Sequence, residues 1–126
     1  MSHYHAVVWL DHTEAHVQHF TREDVEKKLI HGKAHQHLHH KRGAVGAGHA
    51  AEDPAFFGKI AGALTGAQEI LVVGPANAKT EFVKYLAQHA HDLSKKVVAV
   101  ESVDHPSDGQ LLDYARKHFR ALDNMR

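Results

Sequence analysis

The hydrophobic pattern at the amino end of the chain predicts three strands. His5 to Leu10 is rich in β-branched and aromatic residues, and a polar turn separates it from Ala15 to Phe20. Both alternating faces of Ala15 to Phe20 carry apolar side chains, so the pattern does not indicate which face is buried. Val25 to His31 is the third strand candidate. Together the three segments predict an antiparallel meander.

The middle of the chain predicts a helix followed by a buried strand. Asp53 is a good N-cap, Pro54 suits the first helical position, and Gly66 ends the helix. Ile70 to Val73 is a short unbroken apolar run before Gly74, which is typical of a strand buried on both faces. The predicted buried stripe of the helix consists of Phe56, Phe57, Ile60, Ala61 and Leu64.

The carboxyl half predicts two more helices around one more strand. Asn77 is the expected N-cap of the first helix, Lys96 to Glu101 predicts another buried strand, and Ser107 and Gln110 have the spacing of a capping box. The apolar stripes at helical spacing are Phe82, Val83, Leu86, Ala87 and Ala90 in one helix, and Leu111, Leu112, Ala115, Phe119 and Leu122 in the other.

This order of elements predicts an α/β fold with a ribonuclease-H-like mixed β-sheet. About five strands are expected, a three-strand antiparallel meander beside two parallel strands, packed with about three helices. A chain of 126 residues fits one domain over residues 1–126, with a mobile loop rich in histidine and glycine at residues 32–52.

The amino-acid composition indicates the cellular environment of the protein but does not identify a binding partner. Lysine plus arginine and aspartate plus glutamate number 15 each, so the overall charge does not indicate nucleic acid or membrane. The lack of cysteine excludes disulfides and suits a cytoplasmic protein. No apolar run is long enough for a membrane span or a signal peptide. Histidine also numbers 15, so the protein gains positive charge as the pH falls toward about 6.

The predicted loop lies in the one strongly basic segment. From Lys27 to Ala50 there are five lysines or arginines, six histidines and no acidic side chain. Cationic side chains neutralise phosphates, glycine lets a backbone approach closely, and histidine stacks on unpaired bases. The segment therefore predicts RNA contact, and a solvated loop without a ligand is the plainer alternative.

Two further binding sites can be read from the sequence. His35, His37 and His39 alternate, so in an extended segment they would lie on one side and could share Zn²⁺ or Ni²⁺. A metal-binding protein without RNA involvement is the alternative function. In Gly74 to Thr80, GPANAKT lacks the spacing of a nucleotide-binding loop, but Lys79 and the helix start could hold one RNA phosphate. The competing interpretation there is a capped helix with a solvated lysine.

No complete catalytic constellation is present, so we expect no enzymatic activity. Asp11 and Asp104 follow strands at one predicted sheet edge, but the central strand ends without the acid that two-metal nuclease chemistry requires. Both acids are typical turn formers. His105 is interpreted as part of the turn and helix cap beside it, and Trp9 as core or helix-packing surface.

Three stretches carry a family resemblance: VVWLDHTEAHV at the first strand and turn, HKRG at His40 to Gly43, and ILVVGPANAKTEFVKYL. With them the chain resembles the central domain of archaeal and eukaryotic class-1 peptide-release factors and of Pelota. It looks even more like small stand-alone bacterial relatives, often described as translational machinery proteins. The matching residues after the central strand are Gly74, Pro75, Lys79 and Phe82.

The resemblance implies a cytoplasmic protein that contacts the ribosome, its rRNA or tRNA, in ribosome rescue or hibernation. Release factors carry a Gly-Gly-Gln tripeptide on the loop before the first long helix, and GAVGAGHAAED lacks it here. Peptidyl-tRNA hydrolysis is therefore not expected. The predicted RNA contacts are Lys33, Lys41, Arg42, Gly43, Gly46, His49 and Lys79.

Overall fold

A computed structural model describes residues 5–32 and 54–125. None of the helices in these two ranges has both the length and the apolar character that crossing a membrane requires. The elements in chain order are β1 (His5–Leu10), β2 (Glu14–Phe20), β3 (Val25–His31), α1 (Pro54–Leu64), β4 (Glu69–Gly74), α2 (Ala78–His89), α3 (His91–Ser94), β5 (Val97–Ser102) and α4 (Asp108–Met125).

The strands form one mixed sheet in the order β3-β2-β1-β4-β5. The β1–β2 and β2–β3 pairs are antiparallel, and the β1–β4 and β4–β5 pairs are parallel. The predicted α/β class, the meander and the two parallel strands are thus confirmed. The short helix α3 is an addition that the sequence pattern did not predict.

Helices cover both faces of the sheet. Helices α1 and α2 bury one face, with Phe56, Ile60 and Phe82 at its core, and α4 covers the other through Leu111 and Phe119. Strand β4 is buried at every residue, and so is β1 beyond its first residue, because both lie between the two helical layers. This placement explains their unbroken apolar runs.

Two predictions of burial are wrong. Strand β5 was expected to be buried, but it is an edge strand whose burial alternates, and Val98 and Val100 are 38% and 41% exposed. An edge position leaves β5 without a neighbour on one side, and α4 covers only part of it. In α2, Phe82 and Leu86 are buried as expected, whereas Ala87 is exposed because it lies to one side of the stripe.

Strands β1, β4 and β5 are parallel, so they end at one edge of the sheet, which we call the carboxyl edge. The β1–β2 turn, the start of α2 and the β5–α4 connection also lie there. The backbone N–H of Gly32 donates to the carbonyl of Thr13 at 2.7 Å, and the Phe56 ring lies beside Gly32. Both described ends of the segment 33–53 are therefore attached at the carboxyl edge. The predicted loop, apart from Gly32, lies outside the described residues.

Candidate metal centre at the carboxyl edge

A tight turn places Glu14 at the first position of β2. The Asp11 carboxylate oxygen Oδ1 accepts hydrogen bonds from the N–H groups of Thr13 at 2.8 Å and Glu14 at 2.9 Å, and from the Thr13 hydroxyl at 3.0 Å. Asp11 therefore acts as a turn former, as predicted. Because strand side chains alternate between faces, Glu14 and His16 point to the same side, the α4 face of the sheet.

Trp9 brings the β5–α4 connection to the same place. Its indole Nε1–H donates to the carbonyls of Asp104 at 2.9 Å and Val103 at 3.3 Å, which fixes the backbone just before His105. The Trp9 ring, only 1% exposed, lies 4.2 Å from the His105 ring and 5.6 Å from the His16 ring between centroids. The interpretation of Trp9 as core or helix-packing surface is confirmed, because it is buried in the cluster beneath α4.

The two imidazoles converge on one carboxylate oxygen. Oε2 of Glu14 lies 3.1 Å from Nε2 of His16 and 3.2 Å from Nε2 of His105. The other ring nitrogen of His16, Nδ1, lies 3.4 Å from the Asp108 carboxylate at the start of α4. The Glu14 and His16 side chains are about a quarter exposed, at 27% and 21%, and His105 is 55% exposed. We call Glu14, His16 and His105 the edge cluster.

Mutual hydrogen bonding shifts the ionisation of the edge cluster. The hydrogen bond from His16 is the main cause that lowers the pKa of the Glu14 carboxyl, and the hydrogen bond from His105 acts in the same direction against partial burial. The hydrogen bond to Glu14 raises the pKa of His105, and loss of solvent opposes this rise. Glu14 is therefore held as a carboxylate with two nitrogen donors facing it.

Each member of the edge cluster offers one metal-ligating atom, and these atoms lie within 4.8 Å of one another. Sequence reasoning missed this cluster, because it interpreted His105 only as a turn and cap residue. The capping interpretation holds for its neighbours: the Ser107 N–H donates to Gln110 Oε1 at 2.9 Å, and the Gln110 N–H donates to Ser107 Oγ at 3.2 Å. The available signal was the Glu-x-His spacing on one strand face.

Among the predicted RNA contacts, only Lys79 lies within the described residues. Its side chain is 8% exposed, and its ammonium group donates a hydrogen bond to the carbonyl of Ala76 in its own turn. Asn77 is the N-cap of α2 as predicted, but its side chain makes no capping hydrogen bond. Outside the described residues lie the other predicted contacts, Lys33, Lys41, Arg42, Gly43, Gly46 and His49, and the predicted metal ligands His35, His37 and His39. Their roles stay predictions.

A second feature lies at the opposite end of the sheet. Arg22, Arg116 and Arg120 line a cleft over Phe20 and Phe119, which we call the arginine cleft. Nη2 of Arg116 donates hydrogen bonds to backbone carbonyls. The guanidinium carbon of Arg116 also lies 5.8 Å from the centre of the Phe20 ring. Arg22 and Arg120 are exposed, so this cleft presents two cationic groups to solvent, beside the one carboxylate, Asp123, in its lining.

The fold is similar to parts of solved translation factors. Archaeoglobus fulgidus Pelota matches with a TM-score of 0.62 and 16% identity, over 90% of this chain and 30% of that chain. The archaeal translation termination factor aRF1 matches with a TM-score of 0.60 and 18% identity, over 96% of this chain and 39% of that chain. Saccharomyces cerevisiae Dom34 matches with a TM-score of 0.51 and 16% identity, over 79% of this chain and 29% of that chain.

No protein-family model matches the sequence, and the curated proteins include no significant match. The chain spans between about three tenths and two fifths of the solved chains that it resembles. At these identities the similarity shows a common fold. The structure therefore confirms the predicted resemblance to one domain of Pelota and the archaeal release factor.

Proposed function

We propose that this protein is a translation-related factor that associates with the ribosome by contacting rRNA or tRNA. The likeness of its fold to parts of Pelota and aRF1 carries this proposal. aRF1 is a translation termination factor, and Dom34 is a termination-like factor involved in RNA quality control. Rescue of stalled ribosomes and ribosome hibernation are the two roles that fit a domain of this kind.

The position of the basic segment supports contact with RNA. The described residues that flank positions 33–53 lie at the carboxyl edge, with Gly32 hydrogen-bonded to Thr13 and the Phe56 ring of α1 beside Gly32. Lys27 and Lys28 on β3 are exposed and continue the positive charge of the segment onto the sheet. In a chain with no net charge, a run of positive side chains without acidic neighbours favours a local contact with phosphates.

We further propose that the protein acts without hydrolysing peptidyl-tRNA. The segment before α1 carries glycines and basic residues but no Gly-Gly-Gln tripeptide. Occupying a ribosomal site requires affinity and shape, whereas hydrolysis requires a group that positions water at the ester. Incubation with ribosomes carrying peptidyl-tRNA should therefore release no peptide above the background rate, and stimulated release would contradict this part of the proposal.

Co-sedimentation with ribosomes over a salt series tests the association directly. A variant with Lys33, Lys41 and Arg42 changed to alanine should bind more weakly than the wild type. Its plot of log affinity against log salt should be shallower by about 2 to 3, since each lost phosphate contact removes about 0.7 to 0.9. Comparing vacant ribosomes with ribosomes stalled on peptidyl-tRNA separates hibernation from rescue.

The matched control removes three positive charges elsewhere. Lys84 on α2, Lys117 on α4 and Lys95 in the turn after α3 are exposed, and changing them to alanine alters the net charge by the same amount. This control should pellet with ribosomes as the wild type does. Failure of the wild type to pellet even at low salt, or equal loss in both variants, would contradict ribosome association through the basic segment.

A further inference from the structure

We propose that the edge cluster of Glu14, His16 and His105 binds one zinc ion, with a fourth coordination position open to solvent. Glu14 and His105 are 91 residues apart in the chain, yet they meet at the carboxyl edge. Two separated elements therefore supply the donors. This site is independent of ribosome association and of the histidines predicted as ligands in the basic segment.

Two of the three distances between ligand atoms are close to those of tetrahedral zinc, and the third is at most 4.8 Å. Zinc bonds of about 2.0 to 2.1 Å place neighbouring ligand atoms of a tetrahedron about 3.4 Å apart. The Glu14 oxygen Oε2 lies 3.1 Å from one imidazole Nε2 and 3.2 Å from the other, so these two separations need to widen by only a few tenths of an ångström. His105 is more than half exposed, so solvent rather than packed protein borders much of its ring, and a shift of this size meets little obstruction.

The surroundings orient the ligands. Nδ1 of His16 faces the Asp108 carboxylate at 3.4 Å, and a carboxylate at this position favours the tautomer with the proton on Nδ1, which leaves the Nε2 lone pair for the metal. Trp9 packs against both imidazole rings and is itself held by two hydrogen bonds to the β5–α4 connection. The donors are thus positioned before any ion binds, which reduces the entropy cost of binding.

The donor set selects the class of metal. Imidazole nitrogens suit zinc and its neighbours in the first transition row, whereas calcium and magnesium favour oxygen ligands. The single Glu14 carboxylate offsets part of the ion's charge. Three protein ligands leave one position for water, so the geometry resembles zinc sites that exchange a ligand rather than closed four-ligand structural sites.

The test measures zinc stoichiometry and affinity in the full chain. Because the basic segment is rich in histidine, the background variant changes His35, His37, His39 and His40 to glutamine. We expect this background protein to retain one high-affinity zinc equivalent by equilibrium dialysis, and Co²⁺ in place of zinc to give the visible absorption of a tetrahedral site. Zinc should also raise its thermal unfolding temperature.

Ligand and control variants decide the outcome. In the background protein, His105→Gln or Glu14→Gln should weaken zinc binding by at least about 100-fold, since losing a ligand exceeds the 10- to 100-fold effect typical of outer-shell partners. His91→Gln, which changes an exposed histidine on α3, should leave binding unchanged. Circular dichroism checks that each variant folds. If Glu14→Gln on β2 does not fold, the test relies on His105→Gln, because His105 is exposed and its replacement should not disturb the fold.

Two results would overturn the zinc site. One is a background protein that folds but binds no zinc, and the other is zinc binding that survives His105→Gln with unchanged affinity and Co²⁺ spectrum. Either result would leave the edge cluster as a hydrogen-bonded contact between β2 and the β5–α4 connection. Neither result bears on ribosome association, because the variants in the two experiments change different residues.

Discussion

Gly74 ends β4 at a point where the neighbouring strand leaves no room for a side chain. A Cβ atom built on Gly74 would lie 2.2 Å from the carbonyl oxygen of Leu10 on β1. The Gly74 carbonyl also accepts a hydrogen bond from the Val103 N–H at 3.0 Å. The sequence indicated Gly74 as a strand breaker beside Pro75, but the close approach of two parallel strands at the carboxyl edge is the stronger reason for glycine here.

Gly74→Ala should therefore destabilise the protein by at least about 2 kcal/mol. The obstructing atom belongs to the backbone of a buried strand and cannot rotate away, so the strands must separate to admit a methyl group. Urea unfolding should show a lower midpoint with an unchanged slope.

Gly62→Ala is the matched control for this substitution. Gly62 lies inside α1, where a methyl group would meet no described atom within 4 Å outside the backbone of its own helix, and its φ is not in the left-handed region. Alanine should stabilise the helix there by about 0.5 to 1 kcal/mol. Equal effects at Gly62 and Gly74 would show that steric contact with β1 is not the cause.

At the scale of elements, the local pattern of apolar and polar residues predicted most of the fold. The unbroken apolar run of β4 and the stripe of α4 correctly predicted which faces are buried. Burial of β5 was predicted wrongly, because its position at the sheet edge depends on topology and not on its own apolar residues.

The local sequence pattern alone could not predict the edge cluster. Glu14 and His16 share a strand face by simple alternation, but His105 joins them only through the parallel pairing of β4 with β5 and the anchoring of the connection by Trp9. The sequence did predict one sheet edge for the neighbouring residues Asp11 and Asp104, but the contact between His105 and Glu14 also depends on the path of the chain after β5. No spacing rule in the sequence provides that path.

The contact between α4 and β5 includes a hydrogen bond with a measurable ionisation signature. The Tyr114 hydroxyl on α4 donates to the Glu101 carboxylate on β5. Burial, and in second place Glu101, raises the pKa of Tyr114 from 10.0 to about 12. A raised pKa means that this contact contributes its full stability below pH 10, the ordinary pKa, and loses it as the pH rises toward 12.

The tyrosinate absorbance of wild type minus that of Tyr114→Phe isolates this single titration. The difference should show a midpoint near pH 12, with circular dichroism confirming that the protein is still folded. Glu101→Gln removes the nearby negative charge and should lower the midpoint, although burial keeps it above the ordinary value. A wild-type difference titration near pH 10 would contradict the packing of Tyr114 against Glu101.

At the scale of the whole molecule, zero net charge conceals two separate basic regions. Gly32, the last described residue before positions 33–53, lies at the carboxyl edge, and the arginine cleft lies at the other end of the sheet. Helix α4 connects the two ends: Asp108 lies at the edge cluster and Arg120 in the cleft, about 18 Å apart along the helix axis. An extended RNA surface could contact both regions at once.

If the ribosome-associated role is correct, the arginine cleft should contribute to binding. Changing Arg22 and Arg120 to alanine removes two exposed charges, and keeps Arg116, which is hydrogen-bonded to the β2–β3 turn. In co-sedimentation with ribosomes, the slope of log affinity against log salt should become shallower by about 1.4 to 1.8.

The same two-charge change made at Lys84 and Lys117 is the control, because these exposed lysines lie outside the cleft and form ion pairs with Glu81 and Asp113 on their own helices. Surface ion pairs of this kind contribute little to stability, so the control protein should fold normally. A reduced slope in the arginine variant alone places the cleft on the RNA-binding surface. Equal slopes in wild type and both variants would confine binding to the carboxyl edge, because only charges that meet phosphates release counterions.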